Sequence, residues 1–279
     1  MITPAARLQV LRPKTLREAL TMLRDEEDLT PLAGGTDLFV GLNAGVERRA
    51  RYVDLWALDE LRGIEKRGHG KRTTLELRAL TTYSDCIRSR AVAKHLPILA
   101  ACAREVGGVQ IQNRGTIAGN IGNGSPAGDS LPVLMAAEAR VVLKSKRDGE
   151  REVPLTEFYT GYRQTVRRAD ELIVRVETRV PRGRQVFRKV GPRAAQAISK
   201  VVMAAIGDRV SFGSLGPVVM RAHHLETYLA GGGRDRAAAL EALGRDIHPI
   251  DDVRSTADYR RRVAANLIGA WLETREPRD

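Results

Sequence analysis

The feature that most constrains this chain is a run of eighteen residues, "NRGTIAGNIGNGSPAGDS", at positions 113–130. It carries five glycines and three asparagines and no aromatic residue. It lies between a helical pattern and an apolar run, so it belongs to the interior of a folded unit. Stretches of more than about 12 residues without packing side chains, inside a compact domain, are usually functional or disordered. The long charged blocks of disorder are missing here. Thr116, Asn120, Asn123 and Ser125 offer neutral polar groups at short intervals, and Asp129 is its one carboxylate. Backbone amides and Thr or Ser hydroxyls suit phosphate oxygens, and a carboxylate can accept from sugar or ribityl hydroxyls. The inventory therefore suits a ligand with a diphosphate and many hydroxyls. A loop with a purely structural role is the competing reading.

A second glycine segment, "LAGGTD" at Leu32–Asp37, follows a short apolar run. Paired glycines let backbone amides approach an anion without a Cβ in the way. Thr36 adds a hydroxyl. The segment matches neither the P-loop nor the dinucleotide fingerprint, and a plain turn between strands is the alternative.

The rest of the chain reads as a mixed fold. "PKTLREALTMLRDE" predicts a helix, with Thr15 and Glu18 spaced for a capping box and Leu16, Ala19, Leu20 and Leu23 on one face. "LTPLAGGTDLFVGL" gives a short strand, a glycine turn and a second apolar run; "RYVDLWAL" is a further strand. The first fifty-odd residues thus suggest strand, helix, strand and strand in a small α/β unit. A hairpin is expected over Ile64–Leu77, turning at Gly68, His69 and Gly70, then helices over "SDCIRSRAVAKHLPILAACAREVGG". "SLPVLMAAEAR" reads as a helix, "VVLKSKRDGEREVPL" as a hairpin turning at Asp148-Gly149, and "DELIVRVETRVP" as a strand. Beyond it come antiparallel strands in "RQVFRKVGPR" and "ISKVVMAAIGDRVSFGS", then helices in "LETYLAG", "DRAAALEALGR" and "DYRRRVAANLIGAWLE". Val263, Leu267 and Trp271 share a face of the last helix, and Gly231–Gly233 turn between helices. The boundary between the two parts is placed near residue 178.

Composition narrows the function classes. Formal net charge is +12, but the basic residues are spread along the chain, with local clusters only at Arg48, Arg49 and Arg51 and at Arg260–Arg262. Neither cluster has the interleaved aromatics that stack on bases, so a solvated, arginine-rich surface is preferred to a nucleic-acid-binding one. Cys86 and Cys102 are the only cysteines. They cannot ligate an iron–sulfur cluster, and they point to a reducing, cytoplasmic setting. They read as packing residues. No leader and no membrane-length apolar span is apparent. Adjacent His223 and His224 point in different directions on a helix, with no third ligand near in sequence.

"PLAGGTDLFV" together with "NRGTIAGNIGNGSPAGDSLPVLMAAEARVVL" resembles the FAD-binding (medium) subunit of molybdenum hydroxylases of the xanthine dehydrogenase and carbon monoxide dehydrogenase types. "FRKVGPRAAQAISKVVMAA" and "GSLGPVVMRA" resemble the C-terminal domain of the same subunits. The resemblance covers nearly the whole chain. It implies an α+β protein: a PCMH-type FAD-binding domain at 1–177, made of two α/β subdomains (about 1–57 and 58–177), then a smaller domain at 178–279 with an antiparallel sheet and helices. It implies that Leu32, Ala33, Gly34, Gly35, Thr36 and Asp37, with Thr116, Gly119, Asn120, Gly122, Ser125 and Asp129, surround the FAD diphosphate. Val106, Gly107 and Ile111 would border the second segment. Leu172 and Ile173 would lie near the cofactor, although simple strand core is the plainer account of that pair. Lys189 matches a lysine placed near the flavin ring, where a cation would stabilise the anionic reduced flavin; a surface lysine is the alternative.

The same resemblance implies partners: a large subunit with the molybdenum cofactor and a small subunit with two [2Fe–2S] clusters. Electrons would pass from the clusters through FAD to an acceptor such as NAD. No catalytic residue is assigned to this chain, since the flavin would carry the chemistry. "VVMAAIGDRVSFGSLG" looks shorter than the family's strand–turn–strand, so a clipped hairpin is expected. Two other readings stay open: a free-standing flavin oxidase or reductase of the same broad fold, and a basic nucleic-acid-binding protein.

Overall fold

The computed structural model describes residues 8–68, 70 and 73–274. The chain begins β1 (Gln9–Leu11), α1 (Leu16–Asp25), β2 (Thr30–Leu32), α2 (Leu38–Asn43) and β3 (Arg51–Asp54). The strands make a three-stranded parallel sheet in the order β1–β3–β2. α1 buries Ala19, Leu20 and Leu23, and Thr15 Oγ1 accepts from the Glu18 amide at 3.1 Å. The reciprocal half of the expected capping box is displaced by one residue: the Glu18 carboxylate accepts from Lys14 N at 2.6 Å. The apolar run after the glycine turn is the helix α2, which the strand–helix–strand–strand reading lacks. Its Phe39 and Val40 face solvent, so the run's apolar content reflects no buried strand.

Next come β4 (Ile64–Arg67), β5 (Thr74–Arg78), α3 (Tyr83–Arg88), α4 (Arg90–His95), α5 (Pro97–Glu105), α6 (Val109–Arg114), α7 (Ile117–Asn123) and α8 (Ser130–Ala136). They lead to β6 (Arg140–Ser145), β7 (Gly149–Pro154), α9 (Leu155–Phe158), β8 (Tyr159–Gly161), β9 (Gln164–Thr165) and β10 (Glu171–Arg179). An antiparallel sheet of order β4–β5–β10–β6–β7 results. The expected hairpins are its two edges; His69, in the turn of the first, lies outside the described residues. The helices α3–α8 pack over this sheet, with Leu99, Ile117, Ile121 and Leu134 fully buried in one core with Leu75, Leu77 and Val141.

The long glycine stretch is not a loop. Its central part is the helix α7, capped by Thr116, whose hydroxyl accepts from the Gly119 amide at 3.1 Å. Gly124, in the left-handed conformation at φ +60°, ends it. Ile117 and Ile121, four apart, are fully buried and anchor the helix despite its four poor helix formers Gly119, Asn120, Gly122 and Asn123. A helix rich in glycine leaves little side chain on its outer face, which is how the stretch keeps its backbone accessible.

Many arginines are occupied in ion pairs. On the five-stranded sheet the buried Glu76 meets Arg67 at 3.1 Å, with Arg78 and Arg175 at 3.6 and 3.7 Å, and Arg175 reaches Glu150 at 2.6 Å. The last part of the chain holds β11 (Gln185–Val190), β12 (Val201–Ile206), β13 (Arg209–Gly213), β14 (Met220–Arg221), α10 (His223–Ala230), α11 (Arg236–Asp246) and α12 (Ala257–Glu273). The strands form an antiparallel sheet in chain order. The β12–β13 hairpin is tight, with Ile206 opposite Arg209 and Gly207 at φ +60°. β12 is buried on both faces: Val202, Ala204 and Ile206 join the first core, whereas Val201, Met203 and Ala205 join a second core under α10–α12. In α12 the buried stripe is Arg260, Ala264, Ile268 and Trp271, with Val263 and Leu267 only partly covered beside it. No helix among the described residues is long and apolar enough to cross a membrane.

Candidate functional site

The two glycine segments meet. Leu32 ends β2, and its carbonyl accepts from Leu55 N at 2.9 Å, which fixes the direction in which Ala33–Asp37 leave the sheet. Gly34 then lies against the junction of α6 and α7. A Cβ added to Gly34 would fall 1.7 Å from the Arg114 carbonyl oxygen and 3.3 Å from Gly115 N. Only glycine permits that approach. Beside it, a Cβ on Gly119 would lie 3.9 Å from the Ala33 side chain. Gly35 takes φ +75°, and the amides of Gly34, Gly35 and Thr36 donate to no other group among the described residues. Successive free amides at a left-handed glycine make an anion-binding nest.

Two side-chain devices hold this junction. The Arg114 guanidinium stacks on Trp56 at 3.6 Å from the ring centroid, and Arg62 covers the same ring at 4.4 Å. Thus the residue whose carbonyl meets Gly34 is pinned to the end of the first sheet. The second is Arg163, from the turn between β8 and β9: its Nη1 donates to Asn123 Oδ1 at 2.7 Å and to Asp37 Oδ2 at 3.3 Å.

Around the junction the remaining predicted residues divide. Val106 caps the end of α5, and Gly107 (φ +53°) makes way for Ile111, whose Cβ would be 2.8 Å from a Cβ at Gly107. These three turn the chain into α6 and so toward Arg114. Gly122 faces Ile173, 3.7 Å from the latter's Cδ1 to a built Cβ. Leu172 is buried in the core that also holds Ile117 and Ile121. Asn120 turns inward, where its Oδ1 accepts from Ser130 Oγ at 2.8 Å, tying α7 to α8. Ser125 Oγ accepts from Ala127 N at 3.3 Å and shapes the turn before α8.

Asp129 and Lys189 pair with each other. Lys189 Nζ donates to Asp129 Oδ2 at 2.6 Å and to the Glu105 carbonyl at 2.8 Å, and Ser199 Oγ donates to Asp129 Oδ1. Both side chains are more than nine-tenths buried. Burial pushes the Asp129 carboxyl above its usual range, against the opposing pull of Lys189 and Ser199. Burial likewise raises Glu105, with Lys189 opposing and Asp129 adding to the rise. A cavity of about 310 Å³ opens beside this cluster, lined by Glu105, Lys189, Gly191, Arg193 and Gln196 among others.

The family profile described as the FAD binding domain in molybdopterin dehydrogenase matches residues 6–182, and that of the CO dehydrogenase flavoprotein C-terminal domain matches 186–274. The chain belongs to the FAD-binding subunits of the molybdenum hydroxylases. It is 31% identical to the carbon monoxide dehydrogenase medium chain of Hydrogenophaga pseudoflava, over 96% of each chain. It is also 31% identical to a xanthine dehydrogenase FAD-binding subunit of Escherichia coli O157:H7, covering 92% of this chain and 91% of the relative. Among solved structures, the carbon monoxide dehydrogenase of H. pseudoflava lacking the Mo-pyranopterin moiety matches with a TM-score of 0.87 at 29% identity, covering 97% of this chain and 96% of that one. Quinoline 2-oxidoreductase from Pseudomonas putida 86 shares the fold, with a TM-score of 0.86 at 24% identity, over 96% of each chain.

Sequence reasoning missed three features of this candidate site: Arg163, the Trp56–Arg114 stack and Ser199. Arg163 had a local signal, the "TGYRQT" turn between two short strands, but its partners lie 126 and 40 residues away in the chain. Trp56 and Ser199 carried none. His223 and His224, weighed as metal ligands, lie near Glu226 (3.5 Å) and Asp246 (2.7 Å) respectively at the start of α10.

Proposed function

We propose that this chain is the electron-transfer subunit of a molybdenum hydroxylase complex and holds FAD across its two glycine segments. The observation that carries the reading is the backbone contact of Gly34 with Arg114–Gly115, next to three free amides. Hydrogen-bond donors with no side chain in front of them are what a diphosphate needs. Asp37 would repel such an anion, but Arg163 offsets its charge. The residues present therefore fit the cofactor. In this reading Leu32, Ala33, Gly34, Gly35, Thr36 and Asp37 form one wall of the diphosphate site. Thr116, Gly119, Asn120, Gly122 and Ser125 form the other, while Val106, Gly107, Ile111, Leu172 and Ile173 support it. Asp129 and Lys189 act as a pair: the buried ammonium supplies a fixed positive end beside the cavity, and the carboxylate holds it in place.

Bound FAD supplies the exchange between one-electron iron–sulfur donors and a two-electron acceptor, for which we propose NAD. The protein's own part is to bind, to orient and to set the local field. The two cysteines are buried in the core, so cluster ligands would come from a small [2Fe–2S] subunit, and the molybdenum cofactor from a large subunit. Unpaired thiols suit the cytoplasm. We read 1–177 as the flavin domain and 178–279 as the C-terminal domain, a division supported by the two profile matches.

Purification of the native protein with whatever accompanies it tests the proposal. One FAD per chain and co-purifying chains that contain iron and molybdenum are expected. A colourless chain that binds DNA with steep salt dependence would refute it. Reduction of the flavin by an organic substrate in the isolated chain would refute the division of labour instead.

A further inference from the structure

We propose that Arg163 is a positioning residue that latches the two glycine segments together and, through the part of its guanidinium not used in the latch, binds the cofactor diphosphate; this rests on the FAD reading above. Arg163 Nη1 is shared between Asp37, at the end of the first segment, and Asn123, at the end of α7. Its Nε and Nη2 donate to no group among the described residues. Five guanidinium donors in a fixed fork make arginine suited to holding acceptors on one edge and a phosphate on another.

The backbone around Arg163 is arranged for the task. Arg163 sits at φ +54°, a conformation uncommon for any residue other than glycine. It is held there by the α7 end: a Cβ on Gly124 would lie 3.2 Å from Arg163 Cα. The Tyr159 hydroxyl on the same short hairpin donates to the Ile121 carbonyl at 3.1 Å. So the hairpin is fastened to α7 on its own account, and the arginine extends from it to the first glycine segment. Asn123 is a neutral acceptor and Asp37 an anionic one. With Asp37 paired, the remaining N–H groups present a donor edge to an incoming anion where a lone carboxylate would repel it.

The test uses the full-length chain stripped of flavin, as wild type, R163A and R163K. Two quantities are measured: amide hydrogen exchange in the segments 39–41, whose Phe39 and Gly41 amides donate to the Gly35 and Asp37 carbonyls, and 120–124, and the affinities for FAD and for riboflavin, which has no phosphate. For R163A, loss of charged hydrogen bonds predicts FAD binding weakened by about tenfold or more, with riboflavin changed by less than about twofold. Exchange in both segments should quicken in the flavin-free protein. R163K, the variant to rely on should R163A fail to fold, keeps the charge but not the fork and is expected to fall between the two. Unchanged exchange, or an equal loss for FAD and riboflavin, overturns the latch. Should wild type itself bind no FAD, the flavin assignment falls and the latch with it; wild type binding normally alongside an unaffected R163A removes the latch alone.

Discussion

Replacing Gly34 by alanine is the sharpest test of the site, because the structure sets the size of the perturbation. The new methyl would lie 1.7 Å from the Arg114 carbonyl oxygen, and real Cβ atoms do not approach closer than 3.0 Å. One backbone must therefore retreat by about 1.3 Å, since repulsion rises steeply inside contact distance. Neither has room to do so freely: Arg114 is pinned by the Trp56 stack, and Leu32 is tied to Leu55. Overpacking of this kind costs about 1–3 kcal/mol, and if about 2 kcal/mol falls on the ligand-competent arrangement, FAD affinity drops roughly 30-fold. The assay is titration of flavin-free protein followed by flavin fluorescence, with urea unfolding alongside. Gly244→Ala is the control: nothing lies within 4 Å of a Cβ there, and the site is inside α11. It should leave FAD binding alone and raise stability by about 0.5–1 kcal/mol through helix propensity. Gly34→Ala binding FAD within about twofold of wild type would refute the claim that this backbone contact shapes the site.

Breaking the buried pair with Asp129→Asn should destabilise the fold by about 3–5 kcal/mol by leaving Lys189 uncompensated, and the Asp129→Asn, Lys189→Met double variant should lose less than the two single losses summed; urea midpoints decide it. Trp56→Ala should lower stability and loosen Arg114, with about 0.5–1 kcal/mol from the cation–π contact on top of lost packing, read as a fall in Tm. Acid should unfold the protein through carboxylates such as Glu171, where burial acts upward but the Arg151 hydrogen bond brings the group below its ordinary value of 4.5. That stability is present above pH 4.5 and lost as pH falls through the lowered folded value, so Arg151→Met should flatten the acid limb of a stability–pH curve measured from pH 6 to pH 3.

Local pattern made much of this fold legible, and what it hid follows from the physics. Strands β6, β7 and β10–β13 and helices α8 and α10–α12 were readable because apolar spacing and turn residues agree there. The stretch 113–130 misled because glycine and asparagine are poor helix formers, and their number concealed Ile117 and Ile121 four residues apart. Tertiary burial of those two isoleucines overrides the weak propensity. The capping arm of Glu18 slipped to Lys14 because either amide satisfies the same unpaired end of α1. The glycine residues of the site were visible in sequence; the contact that makes them a site was not, since it joins positions 34 and 114.

The charged residues show why one-dimensional reading assigns roles singly when structure assigns them in sets. Taken alone, Asp129 is an acceptor for hydroxyls, Lys189 a cation for a flavin and Asp37 a polar end to a loop. In the fold none stands alone: Asp129 holds Lys189, and Arg163 holds Asp37. Each pairing removes a negative charge from the surroundings of the proposed diphosphate site and the adjoining cavity while keeping the donor groups in place. A site for an anion built from bare amides has weak, fixed partial charges, so an unpaired carboxylate nearby would cancel much of its attraction. The two arginine and lysine partners are thus as much a part of the proposed site as the glycines. Substituting either cation while leaving its carboxylate should damage flavin binding more than removing both members of the pair.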